Sequence, residues 1–118
     1  RCAGFDCRIL YHNRHPHPQA DRLGAKLVDL DTLLAQSDFV SVHTPLSAET
    51  EWLIDEAALR KMKRTAILVN TARGKIVDSM ALYRALRDGV IAYAALDVTD
   101  PEPLPADHPL LSLGNVIV

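Results

Sequence analysis

The run Ala66-Ile67-Leu68-Val69-Asn70 does most to limit what this chain can fold into, because it is short, apolar and unbroken until its last residue. A strand with one wet face alternates apolar and polar residues. A run without alternation suits a strand covered on both faces, as in a parallel sheet. Segments 7–11 (CRILY), 25–28, Phe39–Val42 (FVSV), 91–96 (IAYAAL) and 115–118 read as further strands. Helical patterns fall between them: 31–36 with Asp31 as its cap, 55–61 with acidic residues in its first turn, and 79–88. In the last of these Leu82, Ala85 and Leu86 share one face. Asp78 or Ser79 can cap it, and Gly89 can supply the left-handed residue that ends it. Strands alternating with helices imply βαβ units, so the expected fold is α/β, a Rossmann-type doubly wound parallel sheet, in one domain of 118 residues.

Several classes are disfavoured. The formal net charge is −2, with no basic surplus to meet nucleic acid or an anionic membrane. No apolar run approaches the roughly 20 residues of a membrane-spanning helix. The start has no apolar leader and no Met, so the chain is expected to begin inside a longer protein. Cys2 and Cys7 have neither redox nor zinc spacing and read as incidental thiols of a reduced, cytoplasmic protein. His12, His15 and His17 form an H-x-x-H-x-H run without an acidic or cysteine partner at ligand spacing, so no metal is expected. Trp52 and Leu53 are expected to anchor their segment to the core. His108 is expected to pack or to cap.

Open α/β sheets bind ligands beyond the carboxyl ends of their strands. The loops to read closely are therefore 12–16, 43–46, 70–74 and 97–102. Arg73 follows the buried run. Its planar, permanently charged fork suits a carboxylate held bidentately, although on spacing alone it is equally a surface arginine ahead of a turn glycine. Asp97 ends the next strand and can accept hydrogen bonds from a ligand amide. Glu102 can hold a histidine and favour its charged form. A turn rich in caps and prolines explains the same residues without any ligand.

Longer motifs decide among these readings. N-T-A-R-G-x-x-V-D (70–78), a helix ending in Asp88-Gly89, A-x-L-D-V-x-x-x-E-P-L (94–104) and H-P-L-L-x-x-x-N-V (108–116) follow in order, after S-D-F-V-S-V-H-T-P-L-S-A-E-T (37–50). Together they resemble the dinucleotide-binding domain of the D-isomer-specific 2-hydroxyacid dehydrogenases over nearly the whole chain. The resemblance implies that Arg73 binds the substrate carboxylate and steadies its carbonyl oxygen, and that Glu102 partners the catalytic histidine. It also places Asp97 near the nicotinamide carboxamide. The resemblance further implies that backbone or side chains of Asn13, Arg14, His15, Pro16, His43, Pro45, Thr71, Ala72 and Arg73 line the cofactor. The implied partner is a small 2-keto or 2-hydroxy acid, and the implied parent is a homodimer.

The stretch Asn13-Arg14-His15-Pro16 bears on which cofactor. NAD-selecting Rossmann domains place an acid at this strand end to bind the ribose 2′-hydroxyl. Here a neutral Asn13 removes repulsion and Arg14 can meet a 2′-phosphate, which favours NADP(H) over NAD(H). N-R-H-P and V-T-D-P-E-P-L-P-x-x-H-P-L-L also resemble the glyoxylate/hydroxypyruvate reductase branch. The family's glycine-rich loop, first strand, catalytic histidine and substrate domain are expected outside these 118 residues, with 1–5 as the end of the first helix. Without the central first strand two sheet edges lose their shared neighbour. The segment alone is therefore expected to be poorly stable, to bind dinucleotide weakly and to lack turnover. A dinucleotide-sensing corepressor without turnover is the alternative of a different class, since such proteins keep much of the same chemistry.

Overall fold

The computed structural model describes residues 2–118. Arg1, the start of the expected first helix end, lies outside the described residues. Residues Cys2–Phe5 form a 3-10 turn, followed by strand β1 (Ile9–Tyr11) and strand β2 (Ala25–Leu27). Helix α1 (Leu30–Gln36), strand β3 (Phe39–Val42), helix α2 (Glu56–Lys61) and strand β4 (Ile67–Asn70) come next. Helix α3 (Ser79–Arg87), strand β5 (Tyr93–Leu96) and strand β6 (Val116–Ile117) complete the order. All strand pairs are parallel. Strands β3-β4-β5-β6 make one sheet, and β1-β2 make a second. The α/β reading holds, and the split falls where the sequence reading left the central strand out.

Each helix starts on an aspartate, but not always the expected one. Asp55 accepts from Ala58 N at 2.8 Å, and Asp78 accepts from both Met80 N and Ala81 N at 3.0 Å. At α1 the cap is Asp29, not Asp31: its Oδ1 accepts from Thr32 N at 2.7 Å. This bond and the bond from the Thr32 hydroxyl hold the Asp29 carboxyl below its ordinary pKa. Asp31 lies inside the first turn and reaches Lys61 Nζ at 2.6 Å instead. Helix α3 ends as expected, with Gly89 at φ 67.

Val40, Val42, Leu68, Asn70, Ala94 and Leu96 point to one face of the four-stranded sheet and are buried with Leu34, Leu59, Leu82, Leu86 and Leu110. The alternating residues Phe39, Ser41, Ile67, Val69, Tyr93 and Ala95 are exposed or half-buried. The run 66–70 is thus buried on one face only, because the described helices cover one side of the sheet. Phe39 is 70% exposed on β3, whose outer edge is unpaired among the described residues. Trp52 also departs from expectation, at 56% exposed and φ 53. Its N–H is tied to Lys75 O at 2.8 Å, and Ile54 N bonds Ile76 O at 3.0 Å. That register turns Ile54 into the core, leaves Leu53 partly buried against it and sends Trp52 outward.

Candidate functional site

Strand register builds the site. Val42 pairs with Asn70, and Asn70 pairs with Leu96. Three adjacent parallel strands therefore end level, and His43, Thr71 and Asp97 leave the sheet side by side. The expected residues His43, Pro45, Thr71, Ala72, Arg73, Asp97 and Glu102 all fall on loops from this one edge.

Arg73 is exposed, extended in backbone (φ −147, ψ 142) and without an acidic partner among the described residues. Its Nη1 donates to Ala72 O at 2.7 Å. A guanidinium held only by a backbone carbonyl keeps most of its donors for a carboxylate. Gly74 follows and is buried. A Cβ built there would lie 1.8 Å from Thr99 O, 2.1 Å from Thr99 C and 2.7 Å from Asp100 N. Gly74 is therefore a point of backbone approach, and its φ lies outside the left-handed region that marks a turn glycine. This contact lays the Arg73 loop directly on the loop that leads to Glu102. Ser79 Oγ reinforces it by donating to Asp100 O at 3.0 Å. Asp97 and Glu102 are exposed, and Asp97 N donates to Asn70 O at 2.9 Å.

The loop after β3 is braced from within. Thr50 Oγ1 donates to Pro45 O at 2.7 Å and accepts from Ser47 N at 2.8 Å. His43 Nε2 lies 2.8 Å from Ser41 Oγ, which places the ring on the uncovered face of the sheet. The loop after β1 is more open: Asn13, Arg14, His15 and Pro16 are all exposed. Asn13 Oδ1 accepts from Arg14 N at 2.9 Å. The Arg14 guanidinium pairs with the Glu49 carboxylate, which joins the β1 loop to the β3 loop across the split between the sheets. Arg8 Nη2 also donates to Gln36 Oε1 at the end of α1, at 3.3 Å.

Two residues of the site were not singled out by sequence reasoning. Asn70 reads as the end of a strand, yet among the described residues it is the buried polar side chain of the core, at 1% exposure. An asparagine closing an apolar run was the available signal, since a buried amide costs about 1–3 kcal/mol unless bonded. Glu49 carried no signal of its own, because its partner lies 35 residues away. Other histidines have local jobs. His108 Nδ1 accepts from Leu110 N at 3.3 Å, capping the turn Pro109–Ser112 as expected. His12 Nδ1 lies 3.1 Å from Val28 O, and His17 Nδ1 accepts from Gln19 N. Among the described residues no three His, Cys, Asp or Glu side chains converge on a point a metal could occupy. No described helix is long and apolar enough to cross a membrane.

The comparisons agree with this geometry. Residues 1–118 match the model of the family described as D-isomer specific 2-hydroxyacid dehydrogenase, NAD binding domain. The chain is 54% identical to a glyoxylate reductase of Korarchaeum cryptofilum over 119 residues, covering 100% of this chain and 36% of that protein. It is 49% identical to glyoxylate/hydroxypyruvate reductase B of Yersinia pestis, covering 97% of this chain and 35% of that one. A crystal structure of a glyoxylate reductase from Paecilomyes thermophila superposes with a TM-score of 0.88 at 43% identity, covering 98% of this chain and 35% of that one. The chain thus spans about a third of the length of the relatives it matches.

Proposed function

The chain belongs to the D-isomer specific 2-hydroxyacid dehydrogenases, through their NAD binding domain, and from that membership we propose that its parent protein reduces a small 2-keto acid of the glyoxylate or hydroxypyruvate type to the D-2-hydroxy acid. Residues 1–118 are then part of the dinucleotide-binding domain, and the substrate domain lies elsewhere in the parent. The observation that carries the reading is Arg73: exposed, unpaired among the described residues, and set on a loop packed against the Glu102 loop.

A nicotinamide dinucleotide, when bound, supplies the hydride. The level strand ends fit such a group, because they leave three loops open along one edge. Loop residues Pro45, Thr71, Ala72 and Asp97 would hold it, with His43 beside them. Arg73 grips the substrate carboxylate and stabilises negative charge growing on the carbonyl oxygen. Glu102 holds the proton-donating histidine that the family supplies, and favours its charged form. The full-length protein should oxidise NADPH in the presence of glyoxylate or hydroxypyruvate. Silence across a panel of 2-keto acids would defeat the enzyme reading.

NADP(H) is the preferred cofactor in this reading. Neutral Asn13 sits past the end of β1, and Arg14 has a side chain 69% exposed. Its pair with Glu49 is a surface ion pair, worth about 0–1 kcal/mol, so exchanging it for a phosphate costs little. Asn13→Asp places a carboxylate where the 2′-phosphate would sit. The ratio of kcat/KM for NADPH over NADH should fall at least about tenfold, or ~1.4 kcal/mol. An unchanged ratio would remove this loop from cofactor selection.

A further inference from the structure

Asn70 closes β4 with its side chain turned into the core, where an apolar residue would continue the run. Both ends of its amide are used. Nδ2 donates to Arg73 O at 3.0 Å, and Oδ1 accepts from Ala72 N at 3.1 Å. Its backbone carbonyl accepts from Asp97 N at 2.9 Å. One residue thus ties the backbone on either side of the Arg73 Cα and the first residue of the neighbouring loop. An isosteric leucine would fill the space but strand the Ala72 N–H and the Arg73 C=O. The guanidinium itself is exposed and long, so its reach is only as well defined as the backbone it springs from.

We propose that Asn70 is a positioning residue for substrate reduction: its buried side-chain amide fixes the 70–73 turn and so sets where the Arg73 guanidinium meets the substrate carboxylate. The inference rests on the 2-keto acid reductase reading above. Asn70 does not touch substrate in this account and acts through Arg73.

The test is a double-mutant cycle in the full-length protein, with Asn70→Ala and Arg73→Ala, read as kcat/KM for hydroxypyruvate. A misplacement of about 1 Å near a reacting group can cost roughly a hundredfold, so Asn70→Ala alone should lower kcat/KM by about 10- to 100-fold. On the Arg73→Ala background the same change should cost less than about threefold, since the group it positions is gone. An equal penalty on both backgrounds overturns the proposal, because a merely structural asparagine acts with or without Arg73. Should Asn70→Ala fail to fold, Asn70→Asp enters the same cycle. It keeps an acceptor for Ala72 N–H and sets a carboxylate against Arg73 O. Loss of folding in both variants also overturns the proposal and assigns Asn70 to stability alone. An unmodified protein inactive on every 2-keto acid defeats the underlying reading, and this inference with it. An active one with additive variants defeats this inference only.

Discussion

Replacing Gly74 with alanine should destabilise the full-length protein by about 3 kcal/mol and lower its 2-keto acid turnover by roughly a hundredfold. The new methyl would meet the Thr99 carbonyl oxygen at 1.8 Å. Ordinary contact begins near ~3.5 Å, so the two loops must part by more than about 1.5 Å. The obstacle is backbone, with no rotamer to swing away. It is also backbone pinned on both sides: Asp97 N bonds to Asn70 O, and Asp100 O accepts from Ser79 Oγ. Parting the loops moves Arg73 relative to Glu102, so stability and turnover fall together. Urea unfolding and steady-state kinetics on one preparation check both. A variant with unchanged stability would mean that the loops do not approach this closely. Lost stability with unchanged kcat/KM would mean that their spacing does not matter to the chemistry.

Gly74 also shows which parts of the molecule a sequence can carry. The Asp78 cap and the Gly89 stop rest on interactions within a few residues and are legible in the sequence, and the strand Phe39–Val42 is legible from its pattern although its ladder partner is the distant Ile67–Asn70. The placement of Arg73 beyond a sheet edge follows from strand periodicity and the rule that ligands gather at carboxyl ends. The cap of α1 is also local, Asp29 on Thr32, with Asp31 inside the first turn and paired to Lys61 at the surface. Two other features were decided by partners far along the chain. Trp52 is as apolar as its neighbours, yet pairing with Lys75 and Ile76 fixes which residue of 52–54 turns inward. The run 66–70 reads as covered on both faces, but which helices cover it is a property of topology, and the described ones lie on one side. Gly74 belongs with these, since the atoms that forbid a side chain there lie 25 residues on. The family motif carried Gly74 and Asn70 as letters, and only the packed structure says what each holds in place.

Arg73→Lys should lower kcat/KM for a 2-keto acid by at least about tenfold, near 1.4 kcal/mol, while leaving the fold intact. Lysine keeps the charge, so any loss reports on geometry. The guanidinium fork meets two carboxylate oxygens in one plane and can still direct an N–H at the neighbouring carbonyl. An ammonium is a point charge that serves one oxygen at a time. The two sites of need in the reaction respond differently. Weaker grip on the carboxylate raises KM, because that contact exists before and during reaction. Loss of the donor facing the carbonyl oxygen lowers kcat, because charge builds there only as hydride arrives. Both should change if Arg73 serves both atoms. A rise in KM alone would confine Arg73 to carboxylate binding, and unchanged kinetics would remove it from the site. Stability is a clean control, since the Arg73 side chain is exposed and its one hydrogen bond among the described residues is to Ala72 O, while the backbone bonds of Arg73 do not depend on the side chain. A substantial loss of stability would therefore point to a structural partner that the present fold does not contain.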